Sequence, residues 1–194
     1  MMNRLALTLI TSSILQLGGL CVSPLSSSSC YAIEVAGVSL PDSETVEGKS
    51  LQLNGVGIRK ATILGLKVYA AGLYLHEKNE NPSSILSSTT PKKIVMKFVR
   101  DVSADKTVSA WRTGIESNAP HLATSTTLDE LLSNMKDVSE GDTLSVSFGD
   151  SCIVTLNGQQ LFTTTNKEFA TALLGIWLGA SPPTEELKQG LLGK

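Results

Sequence analysis

The chain is poor in the side chains from which metal, disulfide and nucleic-acid chemistry are built. It has three cysteines and two histidines. Cys21 and Cys30 fall in the N-terminal segment, so the remainder keeps only Cys152, which excludes an internal disulfide and a cysteine-based metal site there. Cys152 sits in the strand pattern Ser151-Cys152-Ile153-Val154-Thr155-Leu156 and reads as a small sheet residue rather than a nucleophile. His76 and His121 are far apart, and neither has a second histidine at ligand spacing; no metal, cofactor or catalytic triad is expected. Charge of one sign is lacking too. The 16 basic and 18 acidic residues are spread without blocks, leaving no footprint for nucleic acid and no polybasic patch for an anionic membrane. No tyrosine follows Leu75, so the later part of the chain offers no phenol for acid–base work.

What is present first is an N-terminal targeting pattern. Met1 to Arg4 carry one positive charge, Leu5 to Val22 are mostly apolar, and Ser26 to Ala32 are small and polar, with a cleavage point after Ala32. Thr11, Ser12, Ser13, Gln16, Gly18 and Gly19 interrupt the apolar run, which favours a removed signal peptide over a permanent span. Residues 1–32 are therefore expected to be a signal or targeting segment, with no stable membrane span after processing. The destination this predicts is extracytoplasmic, periplasmic or secretory. Richness in serine and threonine with no acidic residue before Glu34 also suits a plastid transit segment, and an amphipathic helix retained in the mature chain is the third alternative. Residues 33–194 suffice for one domain: the 194-residue chain is 41% hydrophobic and 18% charged, and no second domain of usual size remains.

The domain reads as strands first and helices later. Glu34 to Leu40, Lys49 to Arg59, Leu66 to Leu75 and Lys93 to Arg100 have strand patterns. Asn81 caps a short helix that has Pro82 at its first position. Ser103 is the expected N-cap of a helix to about Asn118 with Val108, Trp111 and Ile115 on one stripe, and Pro120 ends it. Thr127 and Glu130 have capping-box spacing before a second long helix. Thr143 to Phe148, Cys152 to Leu156 and Gln160 to Thr163 form a meander with Asn157-Gly158 at its second turn. Asn166 caps a helix carrying Phe169, Leu173, Ile176 and Trp177, which Gly179 stops, and a shorter helix with Leu187, Leu191 and Leu192 follows Ser181-Pro182-Pro183.

One arginine and one tyrosine stand out among apolar, β-forming residues. Gly55-Val56-Gly57-Ile58-Arg59 and Gly65-Leu66-Lys67-Val68-Tyr69 read as two strands of a hairpin pivoting on Gly65. A three-residue loop of Ile63, Leu64 and Gly65 closes Thr62 on Leu66 and sets Arg59 across from Tyr69, on one face with Cβ atoms roughly 5 Å apart; a two-residue loop sends Tyr69 to the other face. A guanidinium fork plus a phenol hydroxyl suits the carboxylate of an otherwise apolar acid. The alternative is an internal ion pair or a snorkelling arginine, with Tyr69 as packing.

The run Lys67-Val68-Tyr69-Ala70-Ala71-Gly72-Leu73-Tyr74 resembles the chalcone isomerase superfamily, and within it the plastid fatty-acid-binding branch. The resemblance continues through Lys97-Phe98-Val99-Arg100-Asp101-Val102-Ser103-Ala104-Asp105-Lys106, Phe162, and the tail from Leu178-Gly179-Ala180-Ser181-Pro182-Pro183-Thr184 to Gly193. It implies an α+β fold, an open-faced β-sandwich with a large antiparallel sheet covered on one face by helices and a ligand cleft between them. It also implies that Arg59 and Tyr69 match the pair that holds a fatty-acid carboxylate. Carried over to the isomerases, Arg59 matches their arginine. Their first threonine falls at or near Tyr69, their tyrosine near Thr107, their asparagine near Gly114 and their late threonine near Ile176.

With four of those five positions changed, binding of a fatty acid or similar apolar carboxylate is the leading expectation. The expected ligand-binding residues are Arg59, Tyr69, Thr107, Trp111, Ile176 and Trp177, the tryptophans as cleft wall or as core. No catalytic residue is assigned. The alternatives are a chalcone isomerase-type isomerase (intramolecular lyase) acting on a phenolic enone, and a non-catalytic partner protein. Oligomeric state and ligand length stay open.

Overall fold

The computed structural model describes residues 32–61 and 65–194. The expected signal segment, with Cys21 and Cys30, and the expected loop residues Ile63 and Leu64 lie outside the described residues. Seven strands, β3 (Ser43–Val46), β4 (Lys49–Ala61), β5 (Leu66–Leu75), β6 (Lys92–Phe98), β7 (Thr143–Phe148), β8 (Cys152–Leu156) and β9 (Gln159–Thr164), form one antiparallel sheet in chain order. Before it, β1 (Ala32–Val35) and β2 (Val38–Pro41) form a separate hairpin. The helices are α1 (Pro82–Ser87), α2 (Ala104–Asn118), α3 (Thr126–Ser133), α4 (Lys167–Leu178) and α5 (Glu185–Leu191). The class is α+β, a large antiparallel sheet with helices over one face, as the sequence predicts.

Local chemistry accounts for most element ends. Asn81, Ser125, Asn166 and Thr184 each accept a hydrogen bond at a helix start, satisfying an amide that the helix leaves unpaired. Ser125 is the cap of α3, not Thr127, and that helix is short. Ser103 starts α2 without a side-chain bond; the carboxylate of Asp137 accepts from the Ala104 amide at 2.7 Å instead, from beyond α3. The expected single strand over Glu34 to Leu40 is two strands, because Ala36 and Gly37 both take positive φ, 57° and 83°, and reverse the chain. Asn157 and Gly158 turn β8 into β9 in the same way, with φ of 50° and 81°.

The sheet separates two apolar clusters. The larger, between sheet and helices, includes Leu73, Ile94, Met96, Phe98, Trp111, Ile115, Phe169, Leu173 and Trp177. The smaller lies on the opposite face, where Leu40 of the β1–β2 hairpin joins Leu51, Leu53, Ala70, Tyr74 and Val95. Strand β4 contributes to both faces through a bulge: Leu53 pairs with Tyr74 and Gly55 with Leu73, leaving Asn54 as the extra residue. Asn54 is buried and fully used. Its amide donates to the carbonyls of Leu191 at 2.8 Å and Asn79 at 3.1 Å, and its oxygen accepts from the Asn79 amide at 2.7 Å.

That inserted residue reverses the parity of β4. Leu51 and Leu53 face the β1–β2 hairpin, whereas Gly55, Gly57 and Arg59 face the helices. The glycines let α5 lie directly on the strand: a Cβ on Gly55 would stand 2.3 Å from the Gly190 carbonyl oxygen, and one on Gly57 2.4 Å from that of Leu187. Arg59 is thus the first large side chain beyond the α5 contact.

Candidate functional site

A second bulge completes the placement. Ala61 pairs with Leu66 and Lys60 with Lys67, but Arg59 pairs with Tyr69, so Val68 is the extra residue. The expected opposition of Arg59 and Tyr69 is present, but by another route than a Thr62–Leu66 closure. Without the bulge Arg59 would oppose Val68 and Tyr69 would turn away from the helices. Tyr69 in turn pairs with Phe98 on β6, their rings edge-to-face at 5.4 Å between centroids. A row of arginine, phenol and phenyl therefore crosses three strands at one end of the sheet.

This row borders a cavity of about 880 Å³ between the sheet end, α2 and the Ser181-Pro182-Pro183 link to α5. That volume falls within the roughly 300–1,000 Å³ typical of small-molecule sites. Arg59, Tyr69, Thr107, Trp111, Ile176 and Trp177 all line it. Val68, Met96 and Phe98 add apolar wall from the sheet, and Arg100, Asp101, Asp105 and Lys106 stand exposed around it. The tryptophans meet edge-to-face, 5.6 Å apart and at 85°. Trp177 has 0% exposure and Trp111 5%, so they belong to the core and form the closed back of the cavity rather than its accessible wall.

Arg59 and Tyr69 bring hydrogen-bond donors to one end of the cavity. Arg59 is half-buried and donates Nη1 to the backbone carbonyl of its neighbour Lys60. Among the described residues no carboxylate lies within ion-pairing distance of its guanidinium. Trp177 donates Nε1–H to the Tyr69 hydroxyl oxygen at 3.2 Å. Burial pushes the Tyr69 phenol above its ordinary value of 10.0, while the Trp177 hydrogen bond and then the Arg59 charge pull it back. Tyr69 is therefore a neutral donor at physiological pH.

Two other positions tied to catalysis by resemblance are occupied differently. Gly114 and Ile176 touch: a Cβ on Gly114 would come within 2.9 Å of the Ile176 Cγ2, so no asparagine-sized side chain fits there as α2 and α4 are packed. Cys152 is buried under the helices, and burial pushes its thiol up to about 12, out of range for a nucleophile. Among the described residues no cluster of acidic, histidine and cysteine side chains could hold a metal, and no helix is long and apolar enough to cross a membrane.

The Trp177–Tyr69 bond was not legible beforehand, since it joins residues 108 positions apart. Met96 and Phe98 had a signal, the alternation of Lys93 to Arg100, but only strand pairing shows which of its faces meets the cavity.

Comparison with known proteins follows the same line. Residues 32–193 match the family described as chalcone isomerase-like. No curated protein matches the sequence. Among solved structures the fold is similar to the crystal structure of an Arabidopsis thaliana fatty-acid-binding protein, with a TM-score of 0.66 and 17% identity over 84% of this chain and 96% of that one. At such identity the likeness is one of fold.

Proposed function

The chain belongs to the chalcone isomerase-like family, and we propose that it binds a fatty acid or a similar apolar carboxylate in the cavity between sheet and helices. The head group lies between Arg59 and Tyr69, and the tail runs along Val68, Met96 and Phe98. The observation that carries this is the half-buried Arg59 guanidinium with no carboxylate beside it among the described residues. Arginine cannot shed its charge, so a cation held there is stabilised by an anion brought from outside. The similarity to a fatty-acid-binding protein, and a cavity backed by apolar side chains, support the same reading.

Isomerase chemistry is disfavoured by the packing of Gly114 against Ile176 and by Thr107, an alcohol where the resemblance puts a phenol. We read the protein as a non-enzymatic binder. Residues 1–32 are taken as its targeting segment, directing it to an extracytoplasmic compartment or a plastid.

The test is a calorimetric titration of delipidated protein with dodecanoate. Wild type binds, and Arg59→Met loses about 100-fold or more in affinity with an unchanged circular dichroism spectrum, the loss of two charge-assisted hydrogen bonds at ~1.5–3 kcal/mol each. Equal affinity in the two proteins refutes the head-group assignment. Rapid loss of a chalcone's long-wavelength absorbance on mixing with the protein would instead favour the isomerase.

A further inference from the structure

We propose that Trp177 sets the head-group specificity of the cavity, by bonding to the Tyr69 oxygen so that the Arg59–Tyr69 pair presents donors to the head group and favours a carboxylate over an alcohol of the same chain length. This rests on the proposed function and adds to it a residue that touches no ligand head group. Indole Nε1–H can only donate, so at 3.2 Å the Tyr69 oxygen accepts and the phenol's own hydrogen is left for another partner. Among the described residues no acceptor for that hydrogen is found. The remaining Arg59 N–H groups are donors as well, and among the described residues the bond found is that of Nη1 with the Lys60 carbonyl.

Such a site is complementary to a group that only accepts. An ionised carboxylate takes bonds from Arg59 and Tyr69 together. A fatty alcohol brings a hydrogen that needs an acceptor, and the bond from Trp177 already takes up part of the accepting capacity of the phenol oxygen. An unpaired buried hydroxyl is what polar sites discriminate against most strongly. Trp177 is held for this role by its setting: it has no exposure and its ring packs edge-on against Trp111.

The experiment compares dodecanoate with dodecan-1-ol by calorimetry on wild type and Trp177→Phe. Wild type should prefer the acid more than 20-fold. In Trp177→Phe the Tyr69 oxygen is free to accept from the alcohol, and the preference should fall at least fivefold, whatever happens to the two affinities separately. If both ligands weaken by the same factor, Trp177 only packs, and this proposal fails while the fatty-acid reading survives. If wild type binds no dodecanoate, the reading beneath fails and takes this one with it.

Trp177 is fully buried, so a measurement that leaves it in place accompanies the variant. The indole N–H resonances of Trp111 and Trp177 are assigned with Trp111→Phe. Tyr69→Phe should then move the Trp177 resonance upfield and hasten its exchange with solvent. An unmoved resonance overturns the hydrogen bond and the proposal with it.

Discussion

Arg59 and Lys92 stand at opposite ends of the same helix-covered face, each a cation beside apolar neighbours. Lys92 pairs with Leu75 and Phe148 across the sheet as Arg59 pairs with Tyr69, and neither has a carboxylate partner among the described residues. Yet the two sites resolve their charge differently. Lys92, at 5% exposure, donates to the Ser88 carbonyl at 2.6 Å, and Ser88 is the C-cap of α1, where a cation is welcome. Burial also pulls its pKa below the ordinary 10.5. The pocket beside it is about 250 Å³ and edged by hydroxyls. Arg59 has no helix end and no neutral form, and it faces a cavity of about 880 Å³. A buried lysine can be settled by its own chain; a half-buried arginine with no carboxylate beside it among the described residues is the better place for an anionic ligand.

The largest expected contrast is between two methionine variants. Where Arg59→Met loses about 100-fold in dodecanoate affinity, Lys92→Met should stay within about twofold, because two charge-assisted bonds are at stake in one case and none in the other. Comparable losses would dissolve the distinction. Gly57→Ala comes next, since its Cβ would meet the Leu187 carbonyl oxygen at 2.4 Å and push α5 off the strand beside Arg59. Urea unfolding should register a loss of about 2–3 kcal/mol, typical of overpacking. Tyr69→Phe removes one hydrogen-bond donor and should weaken dodecanoate by about tenfold, clearly less than Arg59→Met.

The smallest effect is one of slope. Because Lys92 is less protonated folded than unfolded, stability rises with pH as the medium climbs through its lowered pKa toward 10.5, and Lys92→Met should lack that rise. Tyr69 works in the opposite sense: its raised pKa gives a contribution that is whole below 10.0 and is lost as pH climbs beyond it. Thermal melts at stepped pH on the Lys92→Met and Tyr69→Phe variants separate the two; a Lys92→Met curve parallel to wild type would mean the lysine is better solvated than its burial implies.

Much of the fold was legible because its signals are local. Asn81 with Pro82, Asn166 with Phe169, and Asn157-Gly158 act within four residues, and each appears where the sequence puts it. Where the structure departs from the sequence pattern, one cause is local and one is distant. Ala36-Gly37 is a weaker turn signal than asparagine–glycine, and Asp137, coming from beyond α3, caps α2 in place of the Ser103 side chain. The candidate site was readable as a pair of residues, Arg59 and Tyr69, but not in the bond that Trp177 makes to the Tyr69 oxygen.

From its own order of residues the chain determines alternation, caps and turns, and hence strands, helices and an arginine close to a tyrosine. Only the folded sheet decides that both face the helices. The extra residues Asn54 and Val68 each shift the pairing by one, and with a side-chain period of two a single insertion exchanges the faces of a strand. The absence, among the described residues, of a carboxylate beside Arg59 and the contact of Trp177 with Tyr69 are likewise tertiary, because charge pairing and hydrogen bonding act over a few ångströms of space whatever the separation along the chain.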